Sequence, residues 1–135
     1  MLKLHAISFL TAGMTMLALE GVWLTVMASR FYKPRIGHLM AETPSLAPIA
    51  LFYIVYLVGL VVLVVHPMLV GNAATVKVLL MGALYGLVTY ATYDLTNHAT
   101  LRAWPTIVTV VDLVWGTSLT AIVALAAVSV TRHFS

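Results

Sequence analysis

The hydrophobic positions of this chain gather into four long runs, each closed by charge, proline or turn residues. The first covers about residues 6–29 and stops before Arg30, Lys33, Pro34 and Arg35. The second covers about 47–65 and stops at His66-Pro67, the third covers about 74–94, and the fourth covers about 105–130 before Arg132-His133. A membrane-crossing helix needs about 20 mostly apolar residues, and each run meets that length. Val-rich stretches such as Leu60–Val65 would suit a strand in water. In lipid an open strand leaves backbone polar groups unpaired, so helix is the required form. The linkers, residues 30–46, 67–73 and 95–104, carry Pro, Gly, Asn or Thr, the residues of turns. Short linkers join antiparallel neighbours. The expected fold is therefore an all-α membrane protein: four antiparallel transmembrane helices in an up-down-up-down bundle, with residues 1–135 forming a single transmembrane domain.

Composition sharpens this expectation. The chain has 135 residues, 62% hydrophobic and 8% charged, whereas soluble domains average about 45–50% apolar and about 25% charged. A soluble globular domain, a disordered chain and a nucleic-acid-binding module are all excluded. Cysteine is absent, which removes disulfides, thiolate metal sites and cysteine nucleophiles. A signal peptide is rejected for the first run, because it exceeds the 7–15 residues of a signal core and no small-residue cleavage site precedes a soluble domain. The basic residues stand near helix ends. Side A, the face of the two termini and the 67–73 turn, has Lys3, Lys77 and Arg132; side B, the opposite face, has Arg30, Lys33, Arg35 and Arg102. The positive-inside rule then puts side B in the cytoplasm.

Three of the four acids, Glu20, Asp94 and Asp112, fall inside apolar runs. An Asp at the centre of a membrane helix costs on the order of 2.5–3.5 kcal/mol, so such residues face a bundle interior. Helical rise puts Glu20 roughly 13 Å and Asp112 roughly 10 Å below side B. Asp94 closes the third run. The side-B half also holds Tyr53, Tyr56, Trp104 and Trp115, while Tyr90, Tyr93, Asp94 and Asn97 follow the i, i+3, i+4, i+7 spacing of one helix face. Thr96 and Arg102 flank that stripe, and Arg102 is expected to turn back to Asp94 or Asp112 as their cation. The side-A half of the second and fourth runs is plain aliphatic. The picture is a polar, aromatic-lined vestibule open to side B above a hydrophobic plug. If the three acids lie close together, they cannot all ionise at once. These residues, with Tyr93, Asn97 and Trp104 among them, are the candidate ligand-binding set. The plainer alternative is that interfacial placement alone explains Tyr32, Tyr93 and Trp104 and that Asn97 ends the third helix.

Other chemistry is sparse. The five histidines sit at helix ends, which does not suit a haem; His5, His66 and His133 share side A, the one place where a histidine metal site is conceivable. No metal ligand set and no cofactor is assigned. Motifs for phosphate loops, dinucleotide binding, zinc hydrolysis and nucleophile elbows are missing. Gly82-x-x-x-Gly86 permits close helix approach, within the bundle or across a homodimer.

The run Tyr90-Ala-Thr-Tyr-Asp-Leu-Thr-Asn-His-Ala-Thr-Leu-Arg-Ala-Trp104, with Asp112-Leu-Val-Trp-Gly116 and Phe52-Tyr53-x-x-Tyr56, resembles the family of small bacterial membrane proteins known as domain of unknown function 2177. The resemblance covers essentially the whole chain. It implies a four-helix protein of the bacterial inner membrane and no activity, and it makes Tyr93, Asp94, Thr96, Asn97, Trp104, Asp112 and Trp115 a family signature. The family often carries Asp in the first helix where this chain has Glu20. One methylene longer, Glu20 reaches the same cavity but puts a strict metal geometry in doubt.

Three functions compete. Carboxylates beside tyrosine and tryptophan faces suit a small amphiphile, a lipid headgroup or a cation, through charge and cation–π attraction. Asp112 and Glu20 could instead serve as acid and base of a lipid-modifying enzyme. The third reading is a non-catalytic assembly subunit. Beyond the lipid bilayer, the expected partners are that small amphiphile or cation and a second copy of the chain, with no nucleic acid.

Overall fold

The computed structural model describes residues 1–135 and contains helices and connecting turns, with no strand. Four helices are long and apolar enough to cross a membrane: α1, Leu2–Leu39; α2, Leu46–Val70; α3, Thr75–Thr100; and α4, Thr106–Phe134. At the helical rise, their 38, 25, 26 and 29 residues reach roughly 57, 38, 39 and 44 Å. All exceed the roughly 30 Å hydrocarbon core. The outer surface is correspondingly apolar, with Leu17 76% and Leu80 64% exposed. The interior uses small side chains, among them Ala12, Thr120, Ala124 and Ala127. Helices in lipid associate by such close approach, because lipid supplies no hydrophobic drive between them.

Contacts fix the running directions. Ser8 meets Thr131 and Tyr32 meets Asp112, so α1 and α4 run oppositely. A Cβ on Gly82 would lie 2.8 Å from Ala124, and one on Gly86 would lie 2.7 Å from Thr120, so the GxxxG face of α3 is spent on antiparallel packing against α4. At side A, the Arg132 guanidinium donates to the Met68 and Ala73 carbonyls at 3.2 and 2.8 Å. It adds a second donor to the Met68 carbonyl, which already accepts the Ala73 amide, and bonds the Ala73 carbonyl in the turn that follows α2.

The helix ends depart from the expected positions at two prolines. The Arg30–Arg35 and His66-Pro67 signals were expected to stop α1 and α2, yet both helices continue. A π-helical stretch, Ala28–Tyr32, precedes Pro34, and another, Val61–Val65, precedes Pro67. The Lys33 amide bonds the Ala28 carbonyl and the His66 amide bonds that of Val61, each five residues back. A proline ring would clash with the carbonyl four residues before it. The wider turn relieves that clash and reassigns the freed groups, an adjustment that lets membrane helices keep proline. The third helix also runs past Asp94 to Thr100, so Asn97 lies within it and does not end it.

Continuation of α1 has a consequence at side B. Phe31 and Ile36 on its extension pack with Trp104 and Val108 at the start of α4. Arg35 lies over the Phe31 ring at 4.3 Å and donates to the Phe31 carbonyl. This small apolar cluster joins α1 to α4 at the side-B end, where the sequence suggested an open vestibule.

Candidate functional site

Glu20, at the middle of α1, is joined by hydrogen bonds to each of the other three helices. Its Oε1 accepts the Trp115 indole N–H at 2.7 Å from α4 and the Tyr90 hydroxyl at 3.3 Å from α3. Its Oε2 accepts the Tyr53 hydroxyl at 3.1 Å from α2. All three donors are uncharged, and Glu20 and its partners remain partly exposed. Gly116 explains how Tyr90 gets there: a Cβ at that position would overlap the Tyr90 ring. Trp23, one turn after Glu20, stacks on Trp115 at 4.1 Å and 7°. The Trp115 N–H is thereby aimed in the plane of its ring toward Glu20.

A second group lies nearer side B. Asp94 on α3 is fully buried and Asp112 on α4 is 7% exposed. Their carboxyls are neighbours between α3 and α4. The Tyr32 hydroxyl donates to Asp112 Oδ1, while Tyr32 accepts the Trp23 N–H at 3.1 Å. Both Asp94 oxygens are buried with no donor. Beyond this pair, the buried Trp104 donates to Thr109 at 3.0 Å, and His98 Nδ1 stands 3.3 Å from the same hydroxyl. Trp23 links the two groups, stacking beside Glu20 with its ring and reaching Tyr32 with its N–H.

The structure thus brings Glu20, Tyr53, Tyr90 and Trp115 together, and separately Asp94 with Asp112. All three membrane acids face inward. Other expected members go elsewhere. Tyr56 is buried but bonds Thr120, away from Glu20. Tyr93 is 57% exposed and meets Trp104 edge-on at 6.1 Å. Thr96 is exposed and returns its hydroxyl to its own helix, at the Tyr93 carbonyl 3.0 Å away. Asn97 is half-buried beside Tyr93. Arg102 does not turn back: it is exposed in the 101–105 connector, and Asp94 has no donor from it or any other residue. The connector is too short, and Ala103 in it takes a left-handed φ of 56° that feeds Trp104 inward in place of Arg102.

Trp23 and Tyr32 were missing from the expected site. Trp23 was legible, three residues after Glu20 on the same face. Tyr32 was not, because it closes the π turn that resets the register of α1. At side A, His5 and His66 stack at 4.6 Å, but His133 turns to Phe134. No three His, Asp or Glu side chains gather closely enough to hold a metal ion. Two of the eight surface concavities are the best defined. One of about 320 Å³ lies by His66 and Arg132, and one of about 240 Å³ lies along Trp23, Val114 and Trp115. Neither is lined by an acid.

A family model, DUF2177, described as a predicted membrane protein, matches residues 5–129. No curated protein and no solved structure matches the chain.

Proposed function

The chain belongs to the DUF2177 family of predicted membrane proteins, and from that premise we propose that its Glu20 cradle binds a small amphiphile with a positively charged head group, in the bacterial inner membrane. The observation that carries this reading is the missing counter-charge. Glu20 has three hydrogen bonds, and every donor is a neutral tyrosine or tryptophan. An intramembrane carboxylate is normally balanced by a cation, and Arg102 does not supply one. Aromatic faces add to the attraction, since a cation over a tryptophan or tyrosine ring gains about 0.5–2 kcal/mol. Access favours an amphiphile over a free ion. Glu20 and Trp115 keep partial exposure while Phe31, Ile36 and Trp104 join α1 to α4 at the side-B end. Entry is then sideways from the lipid, along the apolar concavity that ends on Trp23 and Trp115.

The test uses the stacked tryptophans as reporters. Dodecyltrimethylammonium is titrated into purified protein in maltoside micelles, with neutral and anionic dodecyl amphiphiles as comparisons. The cationic probe is expected to change the tryptophan emission saturably. Glu20→Gln should weaken it by tenfold or more, on the order of 1.4 kcal/mol. Equal responses to all three head groups, or an unchanged response in Glu20→Gln, would refute the reading. An assembly subunit is the second reading. It is favoured by the way one carboxylate ties all four helices, which is sufficient reason for a buried acid without any ligand.

A further inference from the structure

Asp94 and Asp112 are not used by the Glu20 cradle, and their arrangement has its own requirement. An ionised carboxylate only accepts hydrogen bonds. Asp94 is fully buried, and neither of its oxygens meets an N–H or O–H group. The group that it faces is a second carboxyl, Asp112. Two ionised carboxylates buried in that contact would repel each other strongly. Asp112 differs from Asp94 in one respect: Tyr32 donates to it, and that hydroxyl is itself fixed by the Trp23 N–H.

We propose that Asp94 and Asp112 form a proton-binding site inside the bundle, holding one proton between them. The proton resides on Asp94, whose O–H donates to the Asp112 carboxylate, and Tyr32 donates to the same carboxylate from α1. Asp112 is the charged member because it has the outside donor. Release is a simple dissociation: the Asp94 O–H bond breaks, the proton goes to water, and both electrons stay on Asp94.

No cation is bonded to either aspartate. From α1 come Tyr32 and, beyond Trp23, Glu20. From α3 come the half-exposed Tyr93 and, one turn after Asp94, His98, which bonds Thr109 and Thr106. From α4 the neighbouring turn offers Thr109, and on α2 the hydroxyls of Tyr53 and Tyr56 are committed to Glu20 and Thr120. Arg35, on the extension of α1, is occupied by the Phe31 ring and carbonyl. With only two carboxyls, the pair lies below the ligand number of a dedicated divalent-cation cage. A proton satisfies it alone. This inference stands on the aspartate pair and does not depend on what Glu20 binds.

The experiment exploits composition: Asp94 and Asp112 are the chain's two aspartates. Aspartate labelled with 13C at the carboxyl carbon therefore reports this site alone in the whole protein. Infrared and NMR spectra of labelled protein in lipid nanodiscs at pH 7 are expected to show one protonated and one ionised carboxyl, in a 1:1 ratio. The protonated band should shift in D2O, and alkali should convert it to a second carboxylate signal. Asp94→Asn should remove the protonated signal and leave the ionised one. Should that variant fail to fold, the wild-type spectrum already decides. Two ionised carboxyls in wild type at pH 7 would overturn the proposal. So would a protonated signal that appears only after sodium is replaced by N-methylglucamine, which would make an alkali cation the occupant.

Discussion

Gly116→Ala is a small change with a calculable result. The added methyl would overlap Cγ and both Cδ atoms of Tyr90, the part of the ring nearest its own backbone. A clash at the tip of a side chain can be relieved by a small swing. A clash at its root requires a new χ1 or a shift of α3 away from α4. Overpacking of this kind costs about 1–3 kcal/mol. Replacing glycine by alanine inside a helix returns about 1 kcal/mol through propensity. The expected net loss of stability is therefore about 0–2 kcal/mol, and the Tyr90 hydroxyl should leave Glu20.

A single variant cannot separate those opposing terms, so the measurement is a double-mutant cycle with Tyr90→Ala. Without the ring the clash is gone and only propensity remains. Gly116→Ala should then stabilise the protein by about 1 kcal/mol. The coupling between the two positions is the difference, about 1–3 kcal/mol. Reversible unfolding of the four proteins in mixed micelles, followed by helical circular dichroism, gives all four values. The same effect of Gly116→Ala in both backgrounds would refute the argument, since Tyr90 would then not be packed against Gly116.

Two further outcomes follow from the hydrogen bonds. Trp115→Phe keeps a ring to stack on Trp23 but removes the N–H donated to Glu20; a bond to a charged acceptor is worth about 1.5–3 kcal/mol, and an unfolding shift no larger than that of Trp23→Phe, which removes a neutral bond to Tyr32, would show Glu20 to be uncharged or unbound there. Arg132→Ala uncaps the Met68 and Ala73 carbonyls and should lower stability by about 1 kcal/mol, with faster amide hydrogen exchange in the residues 66–73 segment; exchange that accelerates elsewhere instead would show that this arginine does not hold the turn.

The spans were legible because hydropathy is a property of composition over a window and needs no knowledge of neighbours. The inward direction of Glu20, Asp94 and Asp112 was legible for a related reason: lipid penalises a charged residue whatever the partner. Which acid meets which aromatic was not legible. That depends on the rotation of each helix about its axis, and in α3 a modest rotation decides whether Tyr93 joins Tyr90 or faces out. It faces out, because Gly116 draws Tyr90 and Asp94 toward α4 and leaves Tyr93 at the edge of the stripe. The Arg102 expectation failed through a general rule applied without geometry. An acid needs a partner, but a five-residue connector that buries Trp104 has no length left to return an arginine.

The same geometry explains why Tyr32 belongs to the site. At about 100° per residue, Tyr32 lies about 120° around an unbroken α-helix from Glu20. A π turn absorbs about one extra residue, and the separation falls to about 20°. The stretch Ala28–Tyr32 is that turn, and Pro34 supplies the reason for it. A residue read as a helix stop thus resets the register of α1. The reset brings the Tyr32 hydroxyl onto Asp112 while Glu20 keeps its place between Tyr53, Tyr90 and Trp115. The longer α1 also packs Phe31 and Ile36 on Trp104 at the start of α4. One proline therefore accounts for three features that the polarity of the sequence alone does not give: the longer first helix, the donor to Asp112, and the apolar contact that joins α1 to α4 at side B.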